Sequence, residues 1–274
     1  MRKLINNFKI LLDDNKSVLK YSKGAYTKKN IGDALNIFLF EKIFEKEVVN
    51  YREILNTGIP PVYSFIGSVL DNSAVRNLTV MGSGFKKEIS KLPVIPRKAI
   101  ACRGPLTRKK LLHSGMKRVE DVYGDPAILL PRYFDLETEK KFRMGLIPHY
   151  TDKNLPIIEK WAEKNDVKLI DVFSSMEIFV EDIKSCDFTI SSSLHGVILS
   201  HSYGVPSTWV KLSNNIIGGD FKFQDYFLSV GKKVEPITLE NGSTLSKLKT
   251  ACFLPDMYDI TNKLEERLNN FEIK

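Results

Sequence analysis

The stretch TISSSLHGVILSHSYGVPSTWV (189–210) contains the pattern of a strand, a helix and a second strand in direct succession. Its apolar start ends in three serines, and a serine placed before a helix accepts an unpaired amide of the first turn. A single serine would suffice for that purpose. Gly204 and Pro206 mark the end of the helix and the start of the next strand. The pattern predicts a parallel α/β unit, and the additional serines beside His195 indicate a binding site.

The second half of the chain repeats this alternation. Strand patterns of about five residues alternate there with helix patterns of about ten, which is typical of βαβ units and a parallel sheet. Further strands are predicted in FRMGLIPHY (142–150), LIDVF (169–173) and DFTIS (187–191), and helices in the segment from Pro156 and in SSMEIFVEDIKSC (174–186).

The first half shows the same rhythm less regularly. Strands are predicted in SVLKYSK (17–23), PVYSFIG (61–67), NLTVMGSG (77–84) and KAIAC (98–102), and helices in GDALNIFLFEKIFEKE (32–47) and RGPLTRKKLLHSG (103–115). The polar segment PRYFDLETEKK (131–141) separates the two alternations. We therefore predict an α/β fold with two Rossmann-like, doubly wound domains, residues 1–135 and 136–274, that face each other across a cleft. The last helix pattern, DITNKLEERLNNF (259–271), has one apolar face and could pack back on the first domain.

Composition narrows the class of protein. No apolar run approaches the roughly 20 residues of a membrane-spanning helix, and polar residues interrupt the N-terminal stretch where a signal peptide would be apolar. We therefore expect a cytoplasmic protein. The three cysteines are widely spaced and form no CxxC pair, so neither a zinc site nor a disulfide framework is predicted.

The net charge of +8, from 41 Lys and Arg against 33 Asp and Glu, favours an anionic partner. The basic residues are dispersed and interleaved with acids, without an arginine-rich arm or a helix-turn-helix pattern. These features disfavour nucleic acid. A phosphorylated small molecule and an acidic membrane surface remain open, beside the simpler interpretation of a solvated basic surface.

Candidate site residues follow from the rule that open α/β sheets bind ligands at the carboxyl ends of their strands. Gly32 would let the backbone approach a ligand, while Asp33 beside it could contact the ligand or only cap the helix. Gly82, Ser83 and Gly84 follow an apolar strand. They could expose backbone amides to a ligand, or form only a tight turn.

Three further strand ends carry ionisable side chains. Arg103 follows a buried strand, so we expect it to point into the crevice and grip a carboxylate or phosphate; a salt bridge, for example with Asp125, is the alternative. Asp125 precedes a proline and is interpreted either as a ligand contact or as an Asx-turn. His149 ends a strand of the second half and is expected to face the same cleft, unless it is structural.

The motif SSSLHG supplies the strongest candidates, which are Ser192, Ser193, Leu194, His195 and Gly196. Serine hydroxyls and free amides at a helix N-terminus favour an anion. The histidine in that first turn could exchange a proton with a bound substrate near neutral pH. The other two histidines fall inside helix patterns and are interpreted as structural, and no metal site is predicted.

The ordered motifs NIGDALN, MGSGF, RGPLTRKKL, YGDPAILLP, GLIPHY, ISSSLHGVILSHSYGVP and FKFQDYFLSVG resemble those of the polysaccharide pyruvyl transferase family. The resemblance implies a fold like that of GT-B glycosyltransferases, with phosphoenolpyruvate as co-substrate and no other cofactor. It implies transfer of pyruvate as a ketal across two hydroxyls of a sugar, in a cell-surface polysaccharide or its lipid-linked precursor, with release of phosphate. The first domain would then be the acceptor side.

The resemblance also assigns roles to residues. Arg103 would bind the anionic groups of the donor, and His195 would protonate its methylene carbon or help the phosphate to leave. Many relatives have arginine where this chain has Ser193, so Lys211 or Lys222 would have to replace it. A membrane-tethered acceptor would be consistent with peripheral attachment at the inner face of the membrane, although a freely soluble protein is equally compatible.

Two other functions remain open from the sequence. A nucleotide-sugar glycosyltransferase of the same architecture would need a carboxylate for the ribose, and Glu177 or Glu181 could supply it. A non-catalytic module that binds acidic sugars would explain the serine at position 193.

Overall fold

The structure is a computed structural model that describes residues 2–22, 30–213 and 219–274. Within these ranges the strands pair in parallel into two five-stranded sheets, one from each half of the chain. The predicted α/β class with two parallel sheets is therefore confirmed. The domain boundary near residue 135 stays a prediction.

The first half contains five strands, most of them short. They are β1 (Lys16–Leu19), β2 (Glu47–Asn50), β3 (Val62–Ser64), β4 (Leu78–Met81) and β5 (Lys98–Ala101). The helices are α1 (Arg2–Leu11), α2 (Ile31–Phe44), α3 (Pro105–His113) and α4 (Leu130–Tyr133), with 3-10 helices at Tyr51–Glu53 and Pro126–Leu129. The strands lie in the order β2-β1-β3-β4-β5. The last residue of the strand predicted over 17–23 lies outside the described residues.

Sequence reasoning missed α1 and β2. The helix predicted over 32–47 ends at Phe44, because Glu45 adopts a left-handed backbone with φ of 54°, which a right-handed helix cannot continue. The chain then enters β2, where the adjacent Val48 and Val49 favour an extended backbone.

The second half alternates strand and helix regularly. Its strands are β6 (Phe142–Ile147), β7 (Val167–Leu169), β8 (Cys186–Ser191), β9 (Ser207–Lys211) and β10 (Ile237–Thr238). Its helices are α5 (Pro156–Ala162), α6 (Met176–Lys184), α7 (Leu194–Ser202), α8 (Phe221–Ser229), α9 (Leu245–Ala251) and α10 (Tyr258–Asn269). The strand predicted over 169–173 overlaps β7 only at Leu169, because the sheet pairing ends there and the apolar residues that follow pack in the core.

The two sheets have the same topology. The second sheet runs β10-β9-β8-β6-β7. If β6 is counted as its first strand and the sheet is read from the β7 edge, the order is 2-1-3-4-5, as in the first sheet. This is the flavodoxin-like order, in which the chain changes direction across the sheet between its first and third strands. The crevice at that switch point, outside the carboxyl ends of the strands, is where such sheets bind ligands. The fold therefore directs attention to the residues after β1, β3, β6 and β8.

The C-terminal helix α10 contacts elements of the first half. Leu264 and Leu268 on its inner face are fully buried. Arg267 forms an ion pair with Glu120, with 2.9 Å between Nη2 and Oε1, and Glu265 pairs with Arg132. Among the described residues, no helix combines the length and the apolar character that crossing a bilayer would require.

A candidate anion site between the two sheets

A cavity of about 170 Å³ lies between the two sheets and is lined from both halves of the chain. Residues 66–69, which follow β3, form one wall, and the start of α2 adds Gly32 and Asp33. The opposite wall carries His149, which follows β6, together with Ser193 and the start of α7, which follow β8. The cavity thus occupies the switch points of both sheets, as their topology requires.

His195 lies in the first turn of α7, and its side chain is 18% exposed. The imidazole packs directly on Gly32, where a Cβ atom would lie 2.3 Å from both Cε1 and Nδ1. Helix α2 can therefore pack against the imidazole of His195 only because residue 32 has no side chain. The Nε2 atom is buried without a hydrogen-bond partner and lies 3.7 Å from Oδ2 of Asp125.

Asp125 is fully buried behind this ring. Its carboxylate accepts hydrogen bonds from the backbone amides of Gly67 at 3.1 Å and Ala127 at 3.2 Å. The bond to Ala127 is the Asx-type cap that was one of the two interpretations of this residue. The side chain of Asp125 does not line the cavity, so the other interpretation, a ligand contact, stays a prediction.

Two lysines give the cavity its charge. Lys222, at the start of α8, and Lys86, in the loop after β4, both line it. Burial, together with the positive charges of Arg103 and Lys86, lowers the pKa of Lys222 to about 7, and Asp152 only partly opposes this. Burial and the same two lysines lower the pKa of His149 to about 3. Among the described residues, the lining carries two lysines, Lys86 and Lys222, against one carboxylate, that of Asp33, which favours an anionic ligand.

The three serines of the motif have different partners. The Ser191 hydroxyl donates to the carbonyl of Ile147 at 2.9 Å. The Ser192 hydroxyl donates to Asp152 at 2.9 Å and accepts from the amide of His149 at 2.8 Å. Both are fully buried and hold the loop after β6 against the start of α7.

Ser193 differs from the other two serines because its side chain makes no capping hydrogen bond and lines the cavity, as does Leu194. Ser192 and Gly196 do not line the cavity, and a ligand contact by either stays a prediction. Both are turned toward β8 and its neighbouring loop, and a Cβ atom at position 196 would lie 2.3 Å from the hydroxyl of Ser191.

Arg103 does not point into the crevice, which corrects the sequence-based expectation. Its guanidinium is fully buried in an ion pair with Asp225 of α8, with 2.9 Å between Nη2 and Oδ2. Nη1 donates to the hydroxyl of Ser68 at 2.6 Å, and Ser68 lines the cavity. The guanidinium therefore lies one residue behind the cavity wall. Asp225 also accepts from the amide of Thr107 at 2.9 Å, so this cluster docks α8, which carries Lys222, onto α3.

The glycines after β4 are also removed from the cavity. A Cβ atom at Gly82 would lie 2.4 Å from Pro126, and one at Gly84 would lie 2.7 Å from the Arg103 guanidinium. Ser83 donates its hydroxyl to that of Ser64 at 2.9 Å. These three residues do not line the cavity, and their contacts are those of close packing; ligand contact by them stays a prediction.

Sequence reasoning missed Lys86 and Asn36. Asp71 accepts hydrogen bonds from the amides of Lys86 and Lys87 and so holds the loop that presents the first of these lysines. Asn36 donates to the Gly32 carbonyl at 3.1 Å and accepts from the Ile66 amide at 3.0 Å, which ties α2 to the loop after β3. Of the two lysines considered as replacements for the family arginine, Lys211 is exposed and does not line the cavity.

A second cavity, of about 660 Å³, adjoins the first one in the first half of the chain. The two share Ser22 and Val69 in their walls. The larger one is lined by Tyr51 and by the basic side chains of Lys20 and Arg52. Burial lowers the pKa of Lys20 to about 8.

Comparison with known proteins shows the family of this chain. The family model of polysaccharide pyruvyl transferases matches residues 30–214, so the chain belongs to the polysaccharide pyruvyl transferase family, as its motifs suggested. An uncharacterized protein of Acanthamoeba polyphaga mimivirus is 33% identical over 211 residues, which is 74% of this chain and 71% of that protein.

More distant similarities complete this comparison. The succinoglycan biosynthesis protein ExoV of Rhizobium meliloti is 26% identical over 217 residues, or 76% of this chain and 63% of that protein. The crystal structure of an uncharacterized protein of Klebsiella pneumoniae aligns with a TM-score of 0.49 and 13% identity, over 83% of this chain and 94% of that one.

Proposed function

We propose that this protein transfers the pyruvyl group of phosphoenolpyruvate to two hydroxyls of a sugar, as a ketal, and releases phosphate. The family supports pyruvylation of a polysaccharide in general. The observation that carries the finer proposal is the joint presence of Lys86, Lys222 and His195 in one small interlobe cavity. A donor with a phosphate and a carboxylate would offset the excess positive charge of the lining.

The size and the donors of the cavity suit such a molecule. Its volume of about 170 Å³ is below the roughly 300–1,000 Å³ typical of sites for drug-sized ligands. The two lysines would bind the anionic groups, and the hydroxyl of Ser193 with the amides that begin α7 would add donors. Lys222 would take the place of the arginine that many relatives have at position 193. Arg103 would act as a positioning residue that docks α8.

The proposed chemistry is assigned to His195. Its imidazolium would donate a proton to the methylene carbon of the donor, and the carbon that carries the carboxylate would become cation-like. One sugar hydroxyl would then attack that carbon and return its proton to the imidazole. The second hydroxyl would displace phosphate, which leaves with the electrons of its C–O bond and takes the second hydroxyl proton. Asp125, 3.7 Å from Nε2, would stabilise the imidazolium between these steps.

The acceptor would occupy the larger cavity. It leads into the anion site, and Tyr51 lines its wall with the cations of Lys20 and Arg52 over the ring. Lys20 and Arg52 beside that ring would favour an acceptor with an acidic or phosphorylated group. A GT-B-like arrangement of the lobes is part of this proposal and is supported by the two like sheets with the cavity between them.

The competing functions receive less support. Glu177 and Glu181, which a nucleotide-sugar transferase could use for the ribose, are exposed on α6 and line neither cavity. The serine at position 193 favoured a non-catalytic module because many relatives have an arginine there. Lys222 lines the same cavity and supplies a positive charge in place of that arginine.

The proposal is tested by incubating the protein with phosphoenolpyruvate and a panel of glycans and lipid-linked oligosaccharides. We expect phosphate release only in the presence of an acceptor, together with a product whose mass has increased by one pyruvate ketal. Phosphate release without an acceptor, or thermal stabilisation by nucleotide sugars and none by phosphoenolpyruvate, would contradict the proposal.

A further inference from the structure

Helix α1 carries an apolar face that nothing in the described chain covers. Five apolar side chains are exposed in and directly after it, which are Leu4 (45%), Ile5 (47%), Phe8 (59%), Leu11 (46%) and Leu12 (87%). The last four of these residues follow Leu4 by one, four, seven and eight positions. This spacing places all five side chains on one face of a helix. A contiguous apolar surface of this kind on a protein indicates an interaction site.

The opposite face of α1 is anchored to the protein. Asn7 is buried, and its side chain donates to the carbonyls of Leu55 at 3.1 Å and Ile59 at 2.7 Å and accepts from the amide of Leu55 at 2.8 Å. Ile10, on the same side, packs in the core of the first half. These contacts fix the rotation of the helix, so its apolar face is held outward.

The charged residues of α1 itself all have the same sign, and the acidic Asp13 and Asp14 follow only after Leu12. Arg2, Lys3 and Lys9 are the charged residues of α1, and all three are exposed. At 100° per residue, Arg2 and Lys9 lie beyond one edge of the apolar face, whereas Lys3 lies on the anchored side, between Asn7 and Ile10. An apolar face bordered by lysine and arginine is the arrangement of helices that lie in the interface of an anionic membrane.

We propose that α1 docks this protein on a lipid bilayer that contains anionic phospholipids, with its apolar face below the headgroups and Arg2 and Lys9 among them. The charge complementarity favours lipid over a second copy of this chain, because a copy would bring the same cations to the contact. Two more exposed apolar side chains, Leu55 and Ile59, lie in the loop to which Asn7 binds.

The position of α1 has a consequence for the acceptor, which rests on the proposed function. Lys3 of α1 and Arg52 both line the larger cavity. A helix in the membrane interface would therefore bring that cavity next to the headgroups. The phosphate of a lipid-linked sugar would lie at this level of the bilayer.

Sedimentation with lipid vesicles tests the docking independently of catalysis. We expect the protein to bind vesicles of phosphatidylcholine and phosphatidylglycerol in a roughly three-to-one ratio, less so as salt is raised. The double variant Phe8→Gln, Leu11→Gln should lower vesicle partitioning by at least about tenfold, because both side chains are exposed in the free protein and glutamine keeps the helix propensity. The control Ile178→Gln, which removes an exposed apolar side chain from α6, should bind as the unaltered protein does.

Three outcomes would overturn the proposal. One is equal vesicle binding by the double variant and the unaltered protein, and another is the absence of vesicle binding at low salt. The third is a concentration-dependent dimer that the double variant abolishes, since it would assign the apolar face to a second copy. Circular dichroism of the double variant checks that α1 remains folded.

Discussion

Replacing His195 by alanine is expected to lower turnover by about 10²–10⁴-fold, the usual contribution of a positioned acid–base group. Two histidines, His149 and His195, are among the described residues that line the cavity. His195 has a carboxylate beside it, with 3.7 Å between its Nε2 and Oδ2 of Asp125. His149, the other histidine there, is held neutral because burial and the two lysines lower its pKa to about 3. The substitution should therefore reduce kcat far more than it raises KM for phosphoenolpyruvate.

A matched control comes from the same residue type outside the site. His113 is exposed at the end of α3, and His113→Ala should leave both kinetic constants unchanged. The fold of His195→Ala should persist, because the imidazole Nε2 makes no hydrogen bond that the substitution would break. Turnover close to that of the unaltered protein would remove the histidine from the mechanism.

Replacing Arg103 by methionine is expected to lower the free energy of unfolding by about 3–5 kcal/mol, the typical cost of removing one partner of a buried ion pair. Arg103 and Asp225 are both fully buried, so the substitution leaves a carboxylate without its counter-charge. The same change should weaken donor binding, because α8 carries Lys222 into the cavity. Urea unfolding measures the first effect, and calorimetric titration with phosphoenolpyruvate measures the second.

A second variant distinguishes the lost charge from lost packing. In Arg103→Met combined with Asp225→Asn, the amide oxygen can still accept from Thr107 but carries no charge. We expect this double variant to be more stable than Arg103→Met alone. The exposed Arg76→Met serves as a control and should change stability by less than about 0.5 kcal/mol. Equal stability of the single and double variants would contradict the account of the ion pair.

The sequence was most informative where local pattern and fold agree. The segment 186–211 has clear periodicity, and its strand, helix and strand lie where they were predicted. The missed strand β2 is short and follows a helix without a glycine or proline, so no local signal marks its start.

The order of strands within each sheet helps to explain why several predicted site residues do not line the cavity. Gly82 and Gly84 follow β4, and Arg103 follows β5. Like the residues after β1 and β3, they come directly after a short apolar strand, so the local sequence does not distinguish them. Only long-range pairing shows that β1 and β3 are adjacent at the switch point, whereas β5 lies at the edge. The carboxyl end of a strand therefore predicts a site better once the strand order is known, although the loop after β4 still brings Lys86 to the cavity.

Partners from distant loops account for the remaining differences. Ser192 could not be separated from Ser193 by sequence, because Asp152 and the His149 amide, which engage it, belong to another loop. Lys86 has the sequence context of a surface lysine, and the Asp71 carboxylate that orients its loop comes from an earlier segment of the chain.

The central claim is that the lysines of the interlobe cavity bind phosphoenolpyruvate, and Lys222 provides the test. Its pKa of about 7 in the free protein should rise when an anion binds beside it. Above pH 7 the free protein has lost this proton and must regain it on binding, so affinity should fall by up to tenfold per pH unit. In Lys222→Arg the charge persists at all these pH values, so this dependence should disappear.

The direct measurement is a calorimetric titration of phosphoenolpyruvate into the unaltered protein, Lys222→Met and the control Lys87→Met, whose lysine is exposed beside Lys86. We predict binding of one molecule per chain to the unaltered protein and to the control, and at least about tenfold weaker binding to Lys222→Met, as for the loss of a charge-assisted contact. Equal affinity of all three proteins, or no binding to any of them, would contradict the account.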